Sequence, residues 1–169
     1  MRSGVSFLVA FLVLGCASTR SVHEAPFVAG TPLDQVHAVR ELMRVRATHG
    51  ERTESFKAQL LVEPKANRVE LTAYTPLGTS AATLYAEGDQ VTFLNHIAQT
   101  QWSGRASDVA LFGGIAPAEW ATKIVNGQTT ITRGNDSVEI TPLQVVSTDA
   151  SPQPPSIPRE YRCCVAPAL

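Results

Sequence analysis

The sequence predicts a mainly β domain of the α+β class, with a helix near its N-terminus and short helices further on. Three observations predict it. From Phe56 onward, apolar and polar residues alternate with a period of two in a succession of short runs. Turn-forming clusters separate these runs at a spacing that suits an antiparallel meander. Eleven Pro and eleven Gly occur without a repeat period, as expected of a chain with many tight turns. The 169 residues suffice for one domain with a sizeable core. With 44% hydrophobic and 17% charged residues the composition is globular. Fourteen basic residues nearly balance fifteen acidic ones, leaving no electrostatic case for a nucleic-acid partner. Three cysteines are too few to staple a scaffold.

The elements follow in order. Arg2 precedes an apolar run, Val5 to Leu14, that is too short to cross a bilayer core but fits the apolar segment of a secretory signal. Val13-Leu14-Gly15-Cys16 resembles the lipobox of bacterial lipoproteins. The resemblance implies that residues 1–15 are removed and that Cys16 carries a diacylglyceryl group and an acylated amine; no cofactor is expected beyond this covalent lipid. Two or more acyl chains anchor a protein stably without a spanning helix. Ala17, where an Asp would resemble an inner-membrane retention signal, favours the periplasmic face of the outer membrane. Residues 16–30 are small and polar and read as a flexible tether; residues 31–169 form the domain.

Thr31-Pro32-Leu33-Asp34 has the signature of a helix start, and Leu33, Val36, Val39 and Leu42/Met43 recur at helical spacing, so a helix is expected up to Thr48, with Gly50 beyond it. Its polar side would carry Arg40, Arg44 and Arg46, either as a solvated face or as a contact for membrane phosphates. Strands are expected at Phe56–Val62, Val69–Tyr74, Thr79–Ala86, Val91–Asn95 and Thr100–Ser103. Ser107 to Phe112 reads as a helical turn capped by Ser107 and broken at Gly113-Gly114. Pro117 to Asn126 reads as a short amphipathic helix stopped by Gly127. Gln128–Thr132 and Val138–Thr141 read as a strand pair, with Leu143–Val146 as an extension. Ser147–Pro158 is a Pro/Ser loop, and Arg159–Val165 a last strand.

The segment Val69 to Ser80, a strand followed by Thr75-Pro76-Leu77-Gly78 and a second strand, resembles LolB, the outer-membrane receptor for lipoproteins. The likeness extends upstream through Val39-Arg40-Glu41-Leu42 and downstream through the Trp120 helix ended by Gly127. It implies a half-open antiparallel β-barrel whose hollow face is covered by helices and accepts the acyl chains of lipoproteins, delivered by a periplasmic carrier protein. An apolar hollow needs apolar walls. Phe56, Leu60, Leu71, Leu84, Val91, Phe93 and Trp102, with Trp120 and Ile124 from the lid helix, are the candidate wall; packing into an ordinary core would serve the same residues equally. Leu77 stands between Pro and Gly on a turn, and the matching family leucine projects from a loop and is linked to passing lipoproteins into the membrane.

Two further classes compete with this receptor. One is an accessory envelope lipoprotein of the same fold with a filled core and a protein partner. The other is a hydrolase. The sequence has no Walker A motif, no dinucleotide-binding glycine pattern, no H-E-x-x-H and no G-x-S-x-G. His23, His37, His49 and His96 are scattered, and Asp108 and Glu119 have no nucleophile beside them. Asn135-Asp136-Ser137 matches a glycosylation sequon, which carries little meaning in a bacterial lipoprotein. Cys163 and Cys164 are neighbours, an arrangement that disfavours a bridge between them. The expectation is a monomeric, non-enzymatic binding protein without a metal.

Overall fold

The structure, a computed structural model, describes residues 22–28, 30–133 and 136–163. The lipobox with Cys16, the signal segment and Cys164 lie outside them, as do Asn135 and, of the tether, residues 16–21 and 29. Within the segment read as tether, Glu24–Pro26 forms a strand, β1.

Residues 31–49 depart most from expectation. The Thr31-Pro32 signature starts only a single 3-10 turn, Leu33–Gln35, and Val36 is already extended (φ −110°, ψ 151°). Ala38–His49 is a strand, β2, and the expected N-terminal helix does not form. Val39, Glu41, Met43 and Val45 are buried on one face, while Arg40, Leu42, Arg44 and Arg46 lie on the other. A carboxylate in the apolar set and a leucine in the polar set mask the period of two. The four-residue spacing of Val39 and Met43 fits either element, and pairing with two neighbouring strands decides it.

The other strands are β3 (Arg52–Glu63), β4 (Arg68–Tyr74), β5 (Ser80–Glu87), β6 (Gln90–Asn95), β7 (Thr100–Arg105), β8 (Thr130–Arg133), β9 (Asp136–Thr148) and β10 (Arg162–Cys163). Among the described residues they form one open sheet in the order β1-β9-β2-β3-β4-β5-β6-β7-β10, with β8 also paired to β9. The fold is thus mainly β with one α-helix, α1 (Pro117–Val125), and the sheet does not close. The pairs are antiparallel except β10 against β7. The meander from β3 to β7 falls where alternation placed it. β9 is a single long strand through Leu143–Val146: Leu42 faces Gln144 and Met43 faces Pro142, leaving Leu143 as an extra residue. Proline, which has no N–H to give, is tolerated at such a bulge.

The sheet has two unlike faces. On the inner one, Leu60, Val62, Val69, Leu84, Val91 and Phe93 pack with Met43 and with Trp120, Ala121 and Ile124 of α1 into a single apolar cluster. Each such buried side chain contributes about 1.5–3 kcal/mol. The chain between β7 and α1 makes two 3-10 turns, Ala106–Asp108 and Ala110–Phe112, and adds Phe112. The first turn is capped by Asp108, whose carboxylate accepts the Arg105 N–H at 3.3 Å, and not by Ser107. Across the outer face runs the Pro/Ser segment, a fixed strap. Gln153 N–H donates to Glu70 Oε2 (3.3 Å), Ser151 Oγ bonds His37 Nε2 (3.0 Å) and Tyr161 Oη bonds His96 Nδ1 (2.8 Å). Of the last expected strand, residues 159–163 are described: Arg159-Glu160 forms a turn and only Arg162–Cys163 is strand.

Candidate functional site

The nine candidate wall residues come together. Leu60, Leu84, Val91, Phe93, Trp120 and Ile124 are buried in the inner cluster, and Phe56, Leu71 and Trp102 are half-buried against it. Register explains this: Leu60, Leu71, Leu84, Phe93 and Trp102 form one row across five strands. Trp102 lies over Gly104, where a Cβ would collide with its indole ring. Phe112 meets Trp120 edge to face, centroids 5.7 Å apart. The wall residues therefore pack against one another and against α1.

Two polar groups inside this packing have no partner among the described residues. Glu41 is 1% exposed, and both its carboxylate oxygens lack a hydrogen bond. It stands on β2 between Leu60 and Val145. Burial raises its pKa from 4.5 to about 7, so near neutrality the protonated and ionised forms coexist. Trp120 Nε1, on the helix that covers the sheet, is also buried and unpartnered. Buried polar groups are nearly always bonded, so two such orphans in one apolar interior are unusual. Reading residues 36–48 as a helix hid Glu41; reading them with a period of two places it in the apolar row.

The second site lies at one end of the sheet. Lys57 pairs with Tyr74 and Ala82 with Asn95, so the β2–β3, β4–β5 and β6–β7 turns all project from the same end. In the β4–β5 turn, Gly78 N–H donates to Thr75 O (2.9 Å), Thr75 N–H to Thr79 O (2.8 Å), and the two threonine hydroxyls bond at 2.8 Å. Gly78 adopts φ +83°, which glycine alone takes without strain. This bonded neck holds Leu77 outward, 92% exposed. In the β6–β7 turn, Asn95 Oδ1 accepts the N–H groups of Ile97 (3.1 Å) and Ala98 (2.9 Å). Ile97 is thereby held 73% exposed. The two tips are two strand spacings apart, about 10 Å. Sequence reading found Leu77 and missed Ile97, although the alternation of turns in a meander puts both at one end.

Beside the Leu77 turn is a groove of about 290 Å³ lined by Leu42, Arg44, Ser55, Phe56, Lys57, Tyr74 and Pro76. It exists because β3 begins at Arg52 while its pairing with β4 begins only at Lys57. A second groove, about 240 Å³, lies near Asn67 and Ala116. Of the three arginines on the outer face of β2, Arg40 pairs with Glu24 and Arg46 lies 3.8 Å from Glu139. Arg44 faces Lys57 directly across the strand pair, and neither has an ion-pair partner among the described residues.

The remaining candidates are dispersed. Glu119 pairs with Lys123 at 3.0 Å, and Asp108 caps its own turn. His96 sits between Thr83 Oγ1 (3.0 Å) and Tyr161 Oη. His37 lies 3.8 Å from Glu63, and the His23 backbone N–H donates to Asp149. Among the described residues no group of His, Cys, Asp and Glu is placed to hold a metal ion. Cys163 is exposed on β10. No family model matches the chain, and no curated protein matches it either.

Proposed function

We propose that this protein is a lipid-anchored lipoprotein of the bacterial envelope that works on a membrane surface in the manner of the LolB receptors: it accepts lipoprotein acyl chains under its helical cover and helps insert them into the outer membrane. The observation that carries this reading is the pair of apolar tips, Leu77 and Ile97, on rigid turns at one end of the sheet. Folding does not require either side chain there, and water opposes both. A bilayer interface rewards each by about 1.5–3 kcal/mol. The anchor at Cys16 would keep the domain close to lipid, with β1 joining the sheet at the end away from the tips, where Glu24 pairs with Thr148. Glu41 and Trp120 Nε1 add support: an occupant with a polar end, such as the ester or amide group of an acylated cysteine, would find hydrogen-bonding partners on opposite walls of an otherwise apolar interior.

The test has two parts. Leu77→Ser should weaken association of the chain with phosphatidylcholine vesicles about ten-fold or more, and adding Ile97→Ser should weaken it again. A palmitoylated peptide should form a complex with the chain, and the unacylated peptide should not. Unchanged vesicle binding by the double variant, or no complex with the acylated peptide, would refute the reading. The dense inner cluster favours a second reading, an accessory lipoprotein with a filled core that binds a protein partner. Under it the tips still meet the bilayer, but the acylated peptide leaves the chain unchanged.

A further inference from the structure

We propose that the groove beside the Leu77 turn is a binding site for the phosphate of an anionic phospholipid, with Arg44 and Lys57 as its cationic contacts. The proposal rests on the membrane-facing reading of the sheet end and goes beyond it by giving that end a headgroup site.

Four observations carry it. First, Arg44 and Lys57 are direct cross-strand partners, both exposed, on the neighbouring strands β2 and β3. Like charges at such positions repel and cost stability, so the arrangement is not one that folding selects. Second, the protein neutralises the flanking cations and leaves these two. Arg40 has Glu24 and Arg46 has Glu139, yet no acidic side chain pairs with Arg44 or Lys57 among the described residues. Third, the pair opens onto a concave site. The overhang of β3 past the end of β4 makes a groove that Tyr74, Ser55 and Pro76 also line. The strap crosses the same face farther along, with Gln153 on Glu70, and leaves this end uncovered. Ser55 and Tyr74 bring hydroxyl groups to the groove's edge. Tyr74 keeps its proton well above neutrality, because burial and the nearby Glu70 carboxylate raise its pKa despite the opposing pull of Arg40.

Fourth, the pair stands close to the apolar tip. Lys57 is level with Tyr74, and Leu77 lies three residues beyond it, about 10 Å or less along the sheet. The chain as a whole carries a net charge of only −1, so any preference for anionic lipid has to come from a local site such as this one.

The experiment compares binding of the full chain to phosphatidylcholine vesicles with and without phosphatidylglycerol, and reads the ratio of the two affinities. The N-terminal segment is the same in every variant, so only differences between variants matter. Each of Arg44→Gln and Lys57→Gln should lower the ratio about five-fold, and the double variant about thirty-fold, as follows from about 1 kcal/mol per basic residue near an anionic surface. Arg46→Gln, which removes a cation already paired with Glu139, should change it less than two-fold. The double variant should melt no lower than the unchanged chain, since a repulsion is removed. Leu77→Ser should weaken binding to both vesicles and keep the ratio; if it alone leaves binding unchanged while the ratio still depends on Arg44 and Lys57, the insertion reading fails and the headgroup site stands. A ratio unaffected by the double variant overturns the proposal. So does a groove that takes inorganic phosphate, read as shifts of the Lys57 and Tyr74 amide resonances, while the vesicle ratio ignores the same substitutions: that outcome is an adventitious ion only.

Discussion

At the scale of single residues, the feature with the clearest energetic signature is Glu41. Its carboxyl stands in an apolar row with no hydrogen bond to either oxygen among the described residues. Burial there disfavours the charged form and raises the pKa from 4.5 to about 7. In the unfolded chain the group ionises near its ordinary value. Between about pH 4.5 and 7 the folded state therefore holds a proton that the unfolded state has released, and stability falls as pH rises through that window. The whole effect amounts to about 3 kcal/mol, an order-of-magnitude figure. Glu41→Gln keeps the shape and removes the ionisation. It should be close to neutral at pH 4, more stable than the unchanged chain by a few kcal/mol at pH 8, and free of the decline between. Urea midpoints measured across that range check this. Parallel declines in both proteins would show that Glu41 is not the group responsible.

At the scale of elements, what the sequence discloses depends on how local the deciding contacts are. The meander from β3 to β7 was legible because each strand pairs with its sequence neighbour across a short turn, and Pro64, Pro76, Gly78 and Gly88 mark those turns. α1 was legible for the same reason, with Pro117 at its start and Gly127 after its end. β2 was not. Its capping signals are real and yield one 3-10 turn, but its second partner, β9, lies about a hundred residues away in the chain. The strap was readable only as loop: its anchors join Glu70 to Gln153 and His96 to Tyr161, and Pro/Ser composition carries no trace of either. Leu77 was legible because an apolar residue between Pro and Gly is conspicuous. The Arg44–Lys57 pair was hidden, because only strand register sets the two side by side. A central strand has a consequence that exchange measurements can read. Successive β2 amides point alternately to β3 and β9, so those from Val39 to Ala47 should all exchange slowly. In β3, residues 53–56 have only β2 beside them, and every second amide there should exchange freely. Protection starting at Asp34 and continuing unbroken would instead mark a helix and contradict the strand.

At the scale of the whole molecule, the proposed uptake of an acyl chain has to be reconciled with a packed inner face. Apolar composition alone cannot separate a filled core from a hollow, because both demand the same residues. The structure packs Phe112, Trp120 and Ile124 into one apolar cluster with the inner face of the β-sheet. Uptake then requires the cover, α1 with the 3-10 turns before it, to move off the sheet. A ligand that binds only an open minority state has its apparent affinity reduced by the open fraction. Its binding rate should level off at the opening rate as the ligand concentration rises. Stopped-flow binding of a fluorescent fatty acid should accordingly reach a plateau. Phe112→Ala removes a ring from beneath the cover; it should cost about 3–5 kcal/mol of stability and raise the plateau, because the closed state loses packing that the open state never had. A rate that climbs linearly without limit would mean a preformed hollow. No uptake by either protein would leave the filled-core reading, and the apolar tips would then serve only to seat the protein on its membrane.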